Sequence, residues 1–143
     1  MKNEYDNEMK IEFLGLPNNE AFARIAVASF VATLDPTIEE ISDIKTAVSE
    51  AVTNSIVHGY EGTIGVVTIK TKISHNTVEI EISDLGKGIE NIEKAREPLY
   101  TTKPDEERSG MGFTIMESFM DEMKVESTIG QGTTVFMKKA IKA

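Results

Sequence analysis

The chain has 143 residues, 40% hydrophobic and 27% charged, the composition of one ordinary globular unit with its own core. That length leaves no room for an attached receiver, dimerisation or transducer domain, so a single domain over residues 1–143 is expected. A net charge of -9, with lysine and arginine scattered along the chain, disfavours direct nucleic-acid binding, and the lack of cysteine excludes disulfides and thiolate metal sites.

The N-terminal MKNEYDNEMK has no apolar leader core, and the longest near-apolar run, Ile25 to Ala32, is too short to cross a bilayer. A cytoplasmic protein without a membrane segment is expected. Met9 to Leu14 reads as a short strand, with Pro17-Asn18-Asn19 as a break. Phe22, Ile25, Ala26, Ser29 and Phe30 then fall at helical spacing, predicting a helix that runs to Leu34 with that stripe inward. Asp35-Pro36-Thr37 interrupts it. Thr37 and Glu40 have the spacing of a capping box, so a second helix starts there, with Ile38, Ile41, Ile44, Val48, Ala51, Val52 and Ser55 on its apolar stripe and Gly59 as its stop.

From Gly65 the period becomes two. Val67, Ile69 and Ile73, then Val78, Ile80 and Ile82, alternate with polar neighbours across a turn at Ser74-His75-Asn76. One wet and one buried face per strand predicts an antiparallel hairpin. A short helix is expected near Ile89 to Arg96, followed by a long loop over 97–109. Phe113, Met116, Phe119, Met120 and Met123 predict another helix, and a last hairpin turns at Gly130-Gln131-Gly132 between Val125 and the pair Val135 and Met137. Such segregation of strands and helices predicts an α+β two-layer sandwich, a mostly antiparallel sheet covered on one face by helices.

Three stretches carry side chains or backbone suited to chemistry. Glu50 and Asn54, four apart on the second helix, share one side and can act together on one ligand. Asp84-Leu85-Gly86-Lys87-Gly88 follows an alternating strand, with an acceptor at the strand end and glycines that let backbone approach a flat ligand. Arg108-Ser109-Gly110-Met111-Gly112 leads into the Phe113 helix, where free amides and the positive end of the helix dipole favour phosphate. Taken singly, each stretch also reads as a solvated helix face, a plain turn or an ordinary helix entry. The chain contains no phosphate loop of the G-x-x-x-x-G-K-[ST] type, no third glycine for a dinucleotide fingerprint, and no eukaryotic kinase signature. His58 and His75 lack metal-site spacing and are assigned no catalytic role.

In order, Glu50-Ala51-Val52-Thr53-Asn54, Asp84-Leu85-Gly86-Lys87-Gly88 and Gly110-Met111-Gly112 resemble the N, G1 and G2 boxes of the GHKL ATPase and kinase superfamily. Within it, FARIAVASFVATLDPT, SEAVTNSIVHGY, EPLYTTKP and ERSGMGFTIMESFMDE are most similar to the serine kinases that act as anti-sigma factors in sporulation. That resemblance implies a Bergerat-type fold with ATP or ADP between helices and sheet, under a lid at about residues 97–109. It implies that Asp84 receives the adenine amino group with support from Thr133, that Gly86 and Gly88 line the nucleotide, and that Asn54 ligates Mg2+. Gly110, Met111 and Gly112 would give amides to the phosphates, Arg108 would meet the terminal phosphate, and Glu50 would be the general base. Thr101, Thr102 and Lys103 stand where a lid can close over the phosphates. Implied partners are a sigma factor, an anti-anti-sigma protein bearing the acceptor serine, and a second copy of the chain in a homodimer, with Arg24 at a partner-facing position. Two further readings remain open at this point: an anti-sigma kinase of the general stress response, and a GHKL ATPase or nucleotide-gated binding module without kinase activity.

Overall fold

A computed structural model describes residues 5–60, 63–88 and 112–142. The helix expected near 89–96 and the lid at 97–109 lie outside them. Among the described residues, five strands, β1 (Asn7–Leu14), β2 (Val66–Ser74), β3 (Thr77–Asp84), β4 (Glu122–Thr128) and β5 (Gly132–Ala140), form one sheet in the order β1-β2-β3-β5-β4. Every neighbouring pair is antiparallel. Three helices accompany it: α1 (Asn19–Val31), α2 (Ile38–Asn54) and α3 (Gly112–Phe119). The predicted α+β architecture is the one observed.

Strand alternation decides which sheet face the helices cover. In register across the sheet, Ile11, Ile69, Ile82, Val135 and Val125 form one row, and Met9, Thr71, Ile80, Met137 and Met123 the next. These rows pack with Ala23, Val27 and Val31 of α1, Ile44, Ala47, Val48, Ala51 and Val52 of α2, and Phe113 and Met116 of α3 in a single core. The opposite face carries lysine and glutamate in alternation, with open pairs such as Lys70–Glu81 at 3.9 Å and Lys138–Glu122 at 3.7 Å. Exposed pairs of this kind contribute little and mainly keep the face wet.

Three sequence expectations need correction. In α1 the buried stripe is Ala23, Val27 and Val31, while Phe22 and Ile25 are 53% and 55% exposed. Small side chains at i, i+4 and i+8 allow α1 to lie close on α2, so the bulkier stripe one residue away turns outward; Phe22 instead packs edge-on to Phe13 of β1, 6.2 Å between centroids. The third helix stops at Phe119 and does not reach Met123. Lys139 Nζ donates to the Phe119 carbonyl at 2.8 Å, closing that helix end, and the chain enters β4 with Met123 opposite Met137. Met123 fits a helical period after Met116 and Met120, and equally the two-residue period of Val125 and Ser127. The sheet won that residue. On α2, Ile38 is 88% exposed, because the first helical turn projects past the core.

The capping box on α2 is complete: Glu40 N donates to Thr37 Oγ1 at 3.1 Å and Thr37 N to Glu40 Oε1 at 2.9 Å. The same carboxylate receives the Lys142 amide at 2.7 Å, tying the end of the described chain to the start of α2. The Lys142 and Thr37 backbone bonds hold the Glu40 carboxyl below its ordinary pKa.

Thr71 sits at the centre of this core, fully buried, and its hydroxyl has no hydrogen-bond partner among the described residues. A hydroxyl desolvated without compensation costs about 1–3 kcal/mol. Thr71→Val is therefore expected to stabilise the protein by roughly 1 kcal/mol. Urea unfolding at unchanged m-value is the check, and a lowered midpoint would contradict the burial.

Candidate active site

The end of α2 does not stop as an ordinary α-helix. After Asn54 the chain widens into one π-helical turn, Ser55–Gly59, closed by the Tyr60 amide on the Ser55 carbonyl at 3.0 Å. Single π-turns recur at functional sites because the inserted residue redirects the side chains around it. Here the turn brings Gly59 against the end of β3. The Lys87 amide donates to the Gly59 carbonyl at 2.9 Å. A Cβ on Gly59 would lie 2.9 Å from the Asp84 carboxylate, and one on Gly86 would lie 2.0 Å from the Gly59 carbonyl oxygen. Only residues without side chains permit this approach.

Asp84 is the last residue of β3 and is 5% exposed. Its Oδ1 accepts the Gly86 amide at 2.9 Å. Burial raises its pKa above the ordinary carboxylate value, against the opposing pull of the Gly86 amide, the Ser55 hydroxyl and the Thr133 backbone. Thr133 pairs directly with Asp84 across β3 and β5 and is itself buried. The site loop is held by Tyr60, whose hydroxyl accepts the Leu85 amide at 2.7 Å and donates to the Val66 carbonyl at 2.6 Å. Gly88, at φ +80°, turns the loop against the β4–β5 hairpin, where the Gly130 amide donates to the Lys87 carbonyl at 2.7 Å.

Glu50 and Asn54 lie one turn apart at the end of α2, both half-buried. The Asn54 Nδ2 atom is buried and has no hydrogen-bond partner among the described residues. Gly112 opens α3, is buried, and that helix packs against α2. The structure thus gathers Asp84, Gly86, Gly88 and Thr133 at one end of the sheet, joined through Gly59 to the end of α2 that carries Asn54 and Glu50. Arg24 is not part of this cluster: it lies on α1, half-buried, with Nη1 3.5 Å from Glu20 Oε1. Thr101, Thr102, Lys103, Arg108, Gly110 and Met111 lie outside the described residues.

Sequence reasoning missed four residues that build the site. The sequence pattern puts Ser55 on the apolar stripe, yet its hydroxyl supports Asp84; it makes Gly59 the helix stop, yet Gly59 also packs against the carboxylate. Tyr60 and Ser127 carried no local signal, because their partners, Val66, Leu85, Gly132 and Thr133, are set by the fold.

Chemically, the Asp84 end offers a buried carboxylate acceptor, suited to a group that bears a donor. The Asn54 and Glu50 end offers an amide and a carboxylate beside a helix entry. A family model described as a histidine kinase-like ATPase domain matches residues 15–139. Among curated relatives, the anti-sigma F factor of Thermoanaerobacter pseudethanolicus is 64% identical over 96% of each chain, and that of Clostridium acetobutylicum is 63% identical over 94% of each. In fold, the chain is similar to the RsbU and RsbW domains of Rv1364c from Mycobacterium tuberculosis, with a TM-score of 0.70 at 19% identity over 94% of this chain and 32% of that one. It is similar too to the nucleotide-free catalytic domain of histidine kinase ThkA, with a TM-score of 0.55 at 16% identity over 93% of this chain and 97% of that one. With identity above 60% along nearly its whole length, the chain belongs to the anti-sigma F factor family, built on a histidine kinase-like ATPase domain.

Proposed function

We propose that this chain is an anti-sigma factor that also works as an ATP-dependent protein serine kinase, a single domain with adenine held at Asp84 and the phosphates near Asn54 and Gly112. The observation that carries the reading is the buried Asp84 carboxylate at a strand end, walled by Gly59 and Gly86 where no Cβ fits. A ring that donates an exocyclic N–H to that carboxylate replaces the hydration it has lost. Thr133 supports the same edge, and Gly86 and Gly88 line it.

The donor set at the far end suits Mg2+. Asn54 carries an amide oxygen, the hard ligand that this ion takes, while its buried, unpaired Nδ2 suits a phosphate oxygen beside the ion. When bound, magnesium neutralises phosphate charge. Glu50, one helical turn before Asn54, is the general base: as a serine Oγ bonds to the γ-phosphorus and the bond to the β-phosphate oxygen breaks, releasing ADP, its carboxylate takes the serine proton. The assignment of Thr101, Thr102, Arg108, Gly110, Met111 and Gly112 to the triphosphate rests on the G2-box pattern and the lid position.

The name shared by the curated relatives supports a sigma factor as the sequestered partner. The acceptor serine then belongs to a separate anti-anti-sigma protein, and the working form is a homodimer. Arg24 is the residue we assign to the partner-facing surface: its contact with Glu20 is long, 3.5 Å, and part-buried, so a partner's carboxylate can compete for the guanidinium. No helix among the described residues is long and apolar enough to cross a membrane.

Incubation of the protein with Mg-ATP and the anti-anti-sigma protein is expected to label that protein on serine, and Glu50→Ala to slow labelling by roughly 10²–10⁴-fold while ATP affinity holds. Equal labelling by wild type and variant would remove Glu50 from the mechanism, and no labelling by either would remove the kinase assignment. Capture of the sigma factor should be stronger with ATP than with ADP.

Asp84→Asn is expected to weaken ATP by roughly 10–100-fold, the worth of one charge-assisted hydrogen bond. Because burial raises the Asp84 pKa, ATP affinity should be full above that raised value and fall as pH drops through it. Stability without nucleotide has the opposite slope. Below the unfolded-state pKa both states hold the proton; as pH rises to the raised folded value, the folded state increasingly resists ionisation and stability declines. Asp84→Asn should thus raise the nucleotide-free melting temperature at neutral pH while lowering affinity, a pairing checked by calorimetry and thermal melts together.

A further inference from the structure

Ser127 on β4 pairs with Thr133 on β5, and Thr133 pairs with Asp84 on β3. All three stand in one row on the sheet face that looks toward the helices. The two hydroxyl oxygens are 2.8 Å apart, and Ser127 Oγ donates to the Gly132 carbonyl oxygen at 3.0 Å.

A single proton decides the directions. A serine hydroxyl has one hydrogen, and a carbonyl oxygen only accepts. The contact with Gly132 therefore consumes the Ser127 proton, and the 2.8 Å contact requires Thr133 to donate to Ser127. The reverse arrangement would leave two oxygens facing each other at 3.0 Å with no hydrogen between them. With its proton committed sideways, Thr133 turns only lone pairs toward its other neighbours. An ionised Asp84 beside it is also purely an acceptor. This edge of the site then takes N–H donors and repels a carbonyl.

We propose that Ser127 is a positioning residue that fixes the Thr133 hydroxyl as a hydrogen-bond acceptor, so that the Asp84 edge accepts a 6-amino purine and refuses a 6-oxo purine. The inference rests on the reading of Asp84 and Thr133 as the adenine end of the site. Ser127 touches no reacting atom; it acts by setting which way one hydroxyl points.

The test compares Mg-ATP with Mg-ITP, which carry the same triphosphate on 6-amino and 6-oxo rings, by calorimetry on the full chain. Ser127→Ala frees the Thr133 hydroxyl to rotate and donate. ATP is expected to weaken about 3–10-fold, the range for one neutral hydrogen bond, while ITP holds or tightens, so that the ATP-to-ITP ratio narrows. Ser127→Cys keeps the volume with a poor donor and should narrow it likewise; Ser127→Thr keeps the hydroxyl and should retain the wild-type ratio. A purely structural role would weaken both nucleotides together, and that result, or a ratio unchanged in both the Ala and the Cys variants, would overturn the inference. Asp84→Asn separates the two layers. If it leaves ATP binding untouched, the adenine-site reading falls and takes Ser127 with it; if it weakens ATP while the Ser127 variants leave the ratio unmoved, only the role of Ser127 is lost.

Discussion

The approach of one helix end to one strand end is the constraint on which the site depends. Gly59, Gly86 and the Asp84 carboxylate meet where an added Cβ would sit 2.0–2.9 Å from its neighbours. At Gly86 the obstructing atoms belong to the Gly59 backbone and leave no adjustment by rotamer, while at Gly59 they are the Asp84 carboxylate itself. The depth at which Asp84 sits is consequently fixed by backbone against backbone. Its desolvation, its raised pKa and the bare walls beside it are three consequences of a single packing fact.

Two carboxylates in this small fold respond to their surroundings in opposite directions, and the contrast separates support from function. Glu40 is half-buried, receives backbone amides from Thr37 and Lys142, and has a lowered pKa. Its contribution is present above its unfolded-state pKa and lost as pH falls through the lowered folded value. Asp84 is buried and raised, so its ionised form burdens the folded state. Thr71 and Asn54 add buried polar atoms without partners among the described residues. Thr71 has no ligand-facing explanation, whereas Asp84 and Asn54 lie at the two ends of the proposed nucleotide site, where a bound ligand can supply what the folded chain withholds. Polar groups left short at a binding site are a reserve of affinity.

Much of the fold was legible because periodicity reports directly on burial. The alternation in β2 and β3 gave their inward faces residue by residue, and the Thr37–Glu40 spacing gave the capping box that the structure contains. The failures came where one pattern satisfies two geometries. In α1, apolar residues cover so much of the circumference that Ala23, Val27 and Val31 compete with Phe22, Ile25 and Phe30 as the inner stripe, and only the distance to α2 decides. Met123 fits both a helix and a strand, and the cap of Lys139 on Phe119, from a strand far along the chain, settles it. At the site, Asp84 and the glycines after it were visible as a motif. The Ser55, Gly59 and Tyr60 contributions were not, since each acts on a partner across the fold, and a one-dimensional pattern carries no information on which strand end a helix end will meet.

The π-turn links the two ends of the site. In a continuous α-helix the Tyr60 amide would bond to the carbonyl of Ile56, and Gly59 and Tyr60 would follow the helix axis away from β3. Widening the turn to Ser55–Gly59, with the Tyr60 amide on Ser55, lays Gly59 on Asp84 and brings the Tyr60 hydroxyl between Val66 and Leu85. Asn54 is the residue immediately before that turn. The Lys87 amide on the Gly59 carbonyl, 2.9 Å, ties the Asp84 loop to the end of α2. Within this geometry the Asp84 loop and the Glu50–Asn54 pair are positioned by the same backbone segment.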